Sequence, residues 1–169
     1  MVGALAILMV GYSAAEAGWL RDLLEQEGLS AKVDCIAMAD MLPGRLQQQE
    51  WDLVLTDDRP DLGAAQVLGL LARLGLDVPV IALVSRQDEQ AAARLIAAGV
   101  QDVLLKSDPI RLMTAIRGCQ RYIGHLRDLR EAQLALERSE ARFRAIASNL
   151  PGLVFQFVLE SDGSVFFPY

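Results

Sequence analysis

The residues best placed to do chemistry are Asp57, Ser85 and Lys106. Each follows directly on an apolar run: DLVLT before Asp57, VPVIALV before Ser85 and DVLL before Lys106. A carboxylate at the end of a buried strand can act as nucleophile, metal ligand or general base. Lys106 is one of only two lysines, the other being Lys32. An ammonium beside a carboxylate can hold an anionic oxygen added to it. Ser85 contributes a small hydroxyl donor. One carboxylate, one hydroxyl and one ammonium suit a site that accepts a phosphoryl group. An ion pair beside a strand-end serine uses the same three residues and stays open as an alternative.

Other chemistry-bearing residues have weaker patterns. Cys35 and Cys119 are far apart and lack metal-ligand spacing, so they read as buried free thiols in a reducing compartment. The sole histidine, His125, lies in the charged run HLRDLR and reads as part of a solvated helix face. The loop GYSAAEAG has two glycines but not the G-x-G-x-x-G order, and no acidic residue closes the second strand. A small-ligand-binding flavodoxin-like module is therefore the least favoured function class.

The elements that must position these residues alternate. Apolar runs at 4–10, 52–56, 78–84 and 102–105 read as buried strands, and the alternating AKVDCI at 31–36 as a strand nearer the sheet edge. Segments 14–27, 38–49, 64–74 and 88–98 read as helices, the second disturbed by Pro43-Gly44. Five strand–helix repeats in about 120 residues imply a parallel sheet with helices on both faces. In such sheets the functional crevice lies at the carboxyl ends of the strands. Gly11-Tyr12, Asp57, Ser85 and Lys106 should converge there.

After Lys106 the alternation stops. Leu112, Ile116, Cys119, Ile123 and Leu126 follow a three–four spacing. Leu129, Ala132, Leu136, Ser139, Phe143, Ile146 and Leu150 follow it again after a phase slip. So long an amphipathic helix predicts a parallel coiled-coil homodimer through residues 112–146, with Gly118, Gly124 and the slip as yielding points. The closing segment changes character: Pro151-Gly152 breaks the helix, LVFQFVL and SVFFPY read as strands, and SDGS between them as a hairpin turn.

Composition sets outer limits. The chain has 169 residues, 53% hydrophobic and 22% charged, enough for one ordinary domain and not for two. A net charge of −6 offers no footprint for nucleic acid or an anionic membrane. The apolar start MVGALAILMVGYS is short and lacks a basic flank, so it reads as a buried strand, and a cytoplasmic location is expected.

WDLVLTDDRP, VPVIALVS and AARLIAAGVQDVLLKSD together resemble bacterial response-regulator receiver (CheY-like) domains, over residues 4 to about 122. The resemblance implies a flavodoxin-like α/β fold, (βα)5, with parallel strand order 2-1-3-4-5. It implies that Asp57 is the phospho-acceptor, Ser85 the conserved hydroxyl and Lys106 the phosphoryl-contacting lysine, with a histidine kinase as partner. The departures are specific. The family holds magnesium with two acidic residues after its first strand, where this chain has Gly11 and Tyr12. If magnesium binds at all, Asp57 and the backbone carbonyl of Arg59 are its expected ligands. Glu16, one helical turn on, is a further carboxylate that could reach in, whereas Asp58 should point to the other side. Pro60 and Gly63 come early, so the loop after Asp57 looks shortened. Val103 stands where the family has an aromatic switch residue, and Ser107 where proline is common.

SEARFRAIASNLPGLVFQFVLESDGSVFFPY is similar to the start of a PAS sensory domain. The expected organisation is a receiver-like domain at 1–122, a coiled-coil signalling helix at 123–147 and the start of a PAS-like domain at 148–169. The expected function is a degenerate receiver in a multidomain two-component or phosphorelay protein, acting as a dimerisation and interaction module. The alternative is a phospho-accepting receiver with Asp57 as acceptor. No enzymatic activity is expected within the chain; a kinase or diguanylate cyclase output would follow it.

Overall fold

The computed structural model describes residues 4–57, 59, 62–86, 88–149, 158–159 and 165–166. The chain divides into two units, Met1–Gly124 and His125–Tyr169. The first unit contains β1 (Leu5–Val10), α1 (Ala14–Gln26), β2 (Ala31–Ile36), α2 (Leu42–Gln48), β3 (Leu53–Asp57), α3 (Ala64–Leu74), β4 (Val80–Val84), α4 (Glu89–Ala97) and β5 (Asp102–Leu105). The last helix, α5, runs Pro109–Asn149 and crosses the boundary between the units.

All five strands pair in parallel in the order β2-β1-β3-β4-β5. The expected (βα)5 flavodoxin-like sheet is the one observed. The apolar runs have no polar alternation because both faces are covered. On one face, Ile7, Met9, Leu53 and Leu55 pack with Leu20 and Leu24 of α1 and with Leu112 and Ile116 of α5. On the other, Leu8, Val10 and Val54 pack with Leu42 and Leu46 of α2 and with Val67 and Leu71 of α3.

Three boundaries differ from the sequence reading, each for a local reason. The strand predicted at 78–84 begins at Val80, because Pro79 has no N–H to pair; its carbonyl accepts from Val54 N–H at 2.9 Å. The strand predicted at 52–56 is shifted by one. Asp52 caps its start by accepting Ala6 N–H at 2.8 Å, and Asp57 joins the ladder opposite Leu83. Pro43 does not disturb a helix at 38–49. A 3-10 turn at Ala39–Met41 precedes α2, and Pro43 sits in the first turn of α2, where a missing N–H costs nothing.

Helix α5 changes surroundings along its length. Leu112, Met113, Ile116 and Cys119 are buried, and Ile123 packs against the same core. Every residue from His125 to Ala145 is exposed. In the second unit, β6 (Val158–Leu159) and β7 (Val165–Phe166) pair antiparallel, as a hairpin requires. The predicted Pro151-Gly152 break and the turn at 161–164 lie outside the described residues.

Candidate functional site

The strand ends bring Gly11, Tyr12, Asp57 and Lys106 together, as the crevice rule predicts. β1 is followed by Gly11, whose N–H donates to the Ile36 carbonyl at 2.8 Å and whose φ is +91°. A Cβ there would lie 3.0 Å from Asp57 Cβ and 3.5 Å from Arg59 Cδ. Position 11 thus combines a left-handed backbone, strained for any other residue, with a tight fit in which an added Cβ would make Asp57 give by a few tenths of an ångström.

Tyr12 is buried, and its hydroxyl donates to the Thr56 carbonyl at 3.4 Å. Its ring centroid is 5.7 Å from the ammonium of Lys106, within cation–π range. Lys106 follows β5, whose ladder is extended by Lys106 N–H donating to the Val84 carbonyl at 3.0 Å. Its Nζ donates to Asp57 Oδ1, a charge-assisted hydrogen bond between partly buried groups. Ser85 follows β4, two residues past Leu83, the register partner of Asp57. It is exposed.

The remaining predicted metal donors are turned to structural work. Glu16 forms a capping box at the start of α1: its carboxylate accepts Ser13 N–H and Ser13 Oγ–H at 2.8 Å each, and Ser13 Oγ accepts Glu16 N–H at 3.4 Å. The Ser13 backbone bond, then the Ser13 hydroxyl, hold the Glu16 carboxyl below its ordinary value, with Lys106 adding a smaller pull the same way. The Arg59 carbonyl abuts the beginning of α3, where a Cβ on Gly63 would come within 2.5 Å of it. Gly63 is the residue that lets the loop close so tightly. Asp58, Pro60 and Asp61 lie outside the described residues. Among the described residues, no group of three His, Cys, Asp or Glu side chains is arranged to hold a metal.

Val103, at the position of the expected switch, is half-buried against the α2–α3 side of the core. Both cysteines are free thiols, and burial pushes each thiol up. The sequence reading missed two features. The capping box was available as the S-x-x-E pattern Ser13–Glu16. The strand-end rule brings Tyr12 and Lys106 to one crevice, but nothing local in the sequence signals that the ring lies under the ammonium.

Among the described residues, no helix is long and apolar enough to cross a membrane. No curated protein matches the sequence. Among solved structures, the signal receiver domain of a protein named as a Luxo repressor from Vibrio parahaemolyticus is 21% identical. The match covers 76% of this chain and 98% of that one, with a TM-score of 0.65. The receiver domain of an HD-domain-containing protein from Pseudomonas fluorescens is 22% identical, over 71% and 97% of the two chains, with a TM-score of 0.60. The receiver domain of a Francisella response regulator is 15% identical, over 72% and 99%, with a TM-score of 0.61. At such identities these likenesses speak for the fold alone. The response regulator receiver domain model matches the sequence itself, over residues 7–117. The family is regulatory, and its members exchange signals with histidine kinases in two-component systems. By that match, which takes in well over half of its residues, the chain belongs to the response regulator receiver domain family.

Proposed function

We propose that this receiver is degenerate at its metal site and works as a dimerisation and interaction module within a larger two-component protein. The observation that carries the reading is the crowding around position 11. Gly11 supplies no carboxylate and holds a left-handed backbone in which a Cβ would press on Asp57, and the neighbouring Tyr12 places its ring beneath Lys106. Magnesium demands near-ideal octahedral oxygen geometry, held by one or two free carboxylates with waters filling the remaining places. Asp57 is one carboxylate already engaged by Lys106, and the Glu16 carboxylate is committed to Ser13. This donor set does not fit magnesium, even with the Arg59 carbonyl added. Phosphoryl transfer depends on neutralising charge on the moving oxygens, and a lone ammonium falls short of that.

The second reading, a phospho-accepting receiver, draws support from the joining of Asp57 and Lys106 across the ends of β3 and β5, with Ser85 following β4 between them. Incubation with acetyl phosphate and magnesium, followed by intact mass, separates the two. The degenerate reading expects no adduct. A stoichiometric adduct that is absent in Asp57→Asn would replace it with the phospho-acceptor.

The interaction role rests on α5. The homodimer expected through 112–146 needs a narrower seam, because Leu112, Ile116 and Cys119 are spent on the domain's own core. Leu126, Leu129, Leu136 and Phe143 are 47%, 67%, 61% and 60% exposed, and a second copy of the same helix is the partner their spacing fits. The organisation into receiver (1–122), signalling helix (123–147) and PAS-like start (148–169) is kept as part of this reading. A cytoplasmic setting suits the two free thiols, and the net charge of −6 suits neither nucleic acid nor membrane partners.

A further inference from the structure

Beside Asp57, between α3, β4 and α4, lies an open cavity of about 520 Å³. Its volume is that of a small-molecule site. Three arginines line it: Arg59 after β3, Arg86 after β4 and Arg94 on α4. Its two carboxylates are already engaged. Asp57 is paired with Lys106, and Asp88 caps α4 by accepting Gln90 and Ala91 N–H at 3.0 Å each. Arg94 spends only Nε, on the Gln90 carbonyl at 3.3 Å, and Arg86 makes no hydrogen bond or ion pair among the described residues. Arg59 has a partner of its own and Asp88 keeps its charge, so what the cavity offers a ligand on a protein of net charge −6 is the guanidinium groups of Arg86 and Arg94. Guanidinium groups match phosphate oxygens in bidentate geometry. Apart from Gln66 the rest of the lining is apolar, with Val84 and Leu95 supplying a surface that a planar ring can cover.

We infer that this cavity binds a nucleoside phosphate non-covalently, with the phosphates on Arg86 and Arg94 and the base against Val84 and Leu95. The site is distinct from phosphoryl transfer to Asp57 and goes beyond the degenerate-receiver reading. It needs neither a metal nor a chemical step. A ligand there would bear on the loops after β3 and β4, giving the domain an input that does not pass through a phospho-aspartate.

The test is isothermal titration of the full chain with ADP, ribose 5-phosphate and inorganic phosphate in parallel. The expected result is saturable ADP binding, at least tenfold tighter than either smaller probe. Arg86→Glu and Arg94→Glu should each weaken it at least tenfold. Both arginines are exposed, so thermal unfolding should stay at the wild-type temperature in both variants, and Arg144→Glu on the distal helix should leave binding intact. No heat with ADP up to millimolar concentration would overturn the site. So would ADP affinity that survives both arginine variants. Equal binding of inorganic phosphate or ribose 5-phosphate would overturn the assignment of the apolar wall to a base. The acetyl phosphate experiment reads Asp57 alone, so the two proposals fail separately.

Discussion

The two halves of α5 share a helix and a spacing but not a neighbour. Up to Ile123 the apolar residues at three–four intervals belong to the core formed with β1, β3 and α1. From Leu126 onward the same interval continues with every described side chain exposed. The phase slip between Leu126 and Leu129 falls at this change, next to the boundary between the two units at Gly124–His125. A continuous spacing therefore does not identify one interface. It identifies a helix that faces something, and burial decides what.

The largest test of this contrast replaces Leu129 and Leu136 together by Glu. If they form a seam between two copies, each dimer loses four buried leucines, at about 1.5–3 kcal/mol apiece. Sedimentation of the double variant should show monomer at every accessible concentration while the wild type remains dimeric. A wild type that stays monomeric at high concentration removes the seam altogether. The unfolding midpoint of the receiver unit should not move in the variant, because neither leucine contributes to its core.

Ile116→Ala probes the proximal half. Ile116 is fully buried at 0% exposure, and its truncation should cost about 2–5 kcal/mol of receiver stability. Leu136→Ala, at the same helical spacing but 61% exposed, should change receiver stability by less than about 0.5 kcal/mol. Urea titration of dilute protein compares them directly. Similar losses for both would erase the distinction between the halves.

The sheet was legible because its signals are local. Apolar runs of four to seven residues ended by Gly11, Gly28 or Gly99 specify buried strands and helix ends whatever lies elsewhere. The convergence of Asp57 and Lys106 followed from a general rule about strand ends. What stayed hidden depends on neighbours distant in sequence. Tyr12 beneath Lys106, Arg59 running past Gly11 and the arginine-lined cavity each join separate loops. The division of α5 was hidden for the same reason. Leu112 and Leu129 look alike in sequence, and only the sheet reveals which one it covers. The carboxylate of Glu16 shows the converse: its capping role is written in a local pattern, Ser13–Glu16, that needs no distant neighbour.

A smaller effect is expected from α1, the wall against which the proximal half of α5 rests. Leu20 and Leu24 of α1 share a core with Met113 and Ile116, and Arg117 donates to both the Glu27 carbonyl at 3.2 Å and its carboxylate at 2.7 Å. Ser13→Ala removes the two hydrogen bonds of the hydroxyl, to Glu16 N–H and to its carboxylate, while the Ser13 backbone N–H still donates to that carboxylate, and should cost about 1 kcal/mol. Its pH dependence has a fixed sign. The Glu16 carboxyl is held below the 4.5 of an ordinary glutamate, so the box stabilises fully above that pH and is lost as pH falls through the folded value. The stability gap between wild type and Ser13→Ala should therefore be widest above pH 4.5 and narrow, without closing, as pH falls through the lower folded value, because only the hydroxyl's bond to the carboxylate is both pH-dependent and lost. Distal helicity, read in a chain fragment of 125–149, should not respond to the same pH window in step with the receiver.

The smallest effect bears on the junction itself. Gly118 and Gly124 both lie inside α5, and a Cβ added at either meets nothing within 4 Å. A helix-interior glycine costs roughly 0.5–1 kcal/mol relative to alanine through backbone entropy. Gly118→Ala should thus raise receiver stability by up to about that amount, since its neighbours Ile116 and Cys119 are anchored in the core. Gly124→Ala stands at the last residue of the first unit and should raise receiver stability less, with more of its gain appearing as helicity beyond it. Thermal unfolding of the two variants, with circular dichroism recorded in parallel, reads both quantities. Equal gains in receiver stability would mean that the core's hold on α5 extends past Ile123, and the division between the halves would have to move toward the distal end.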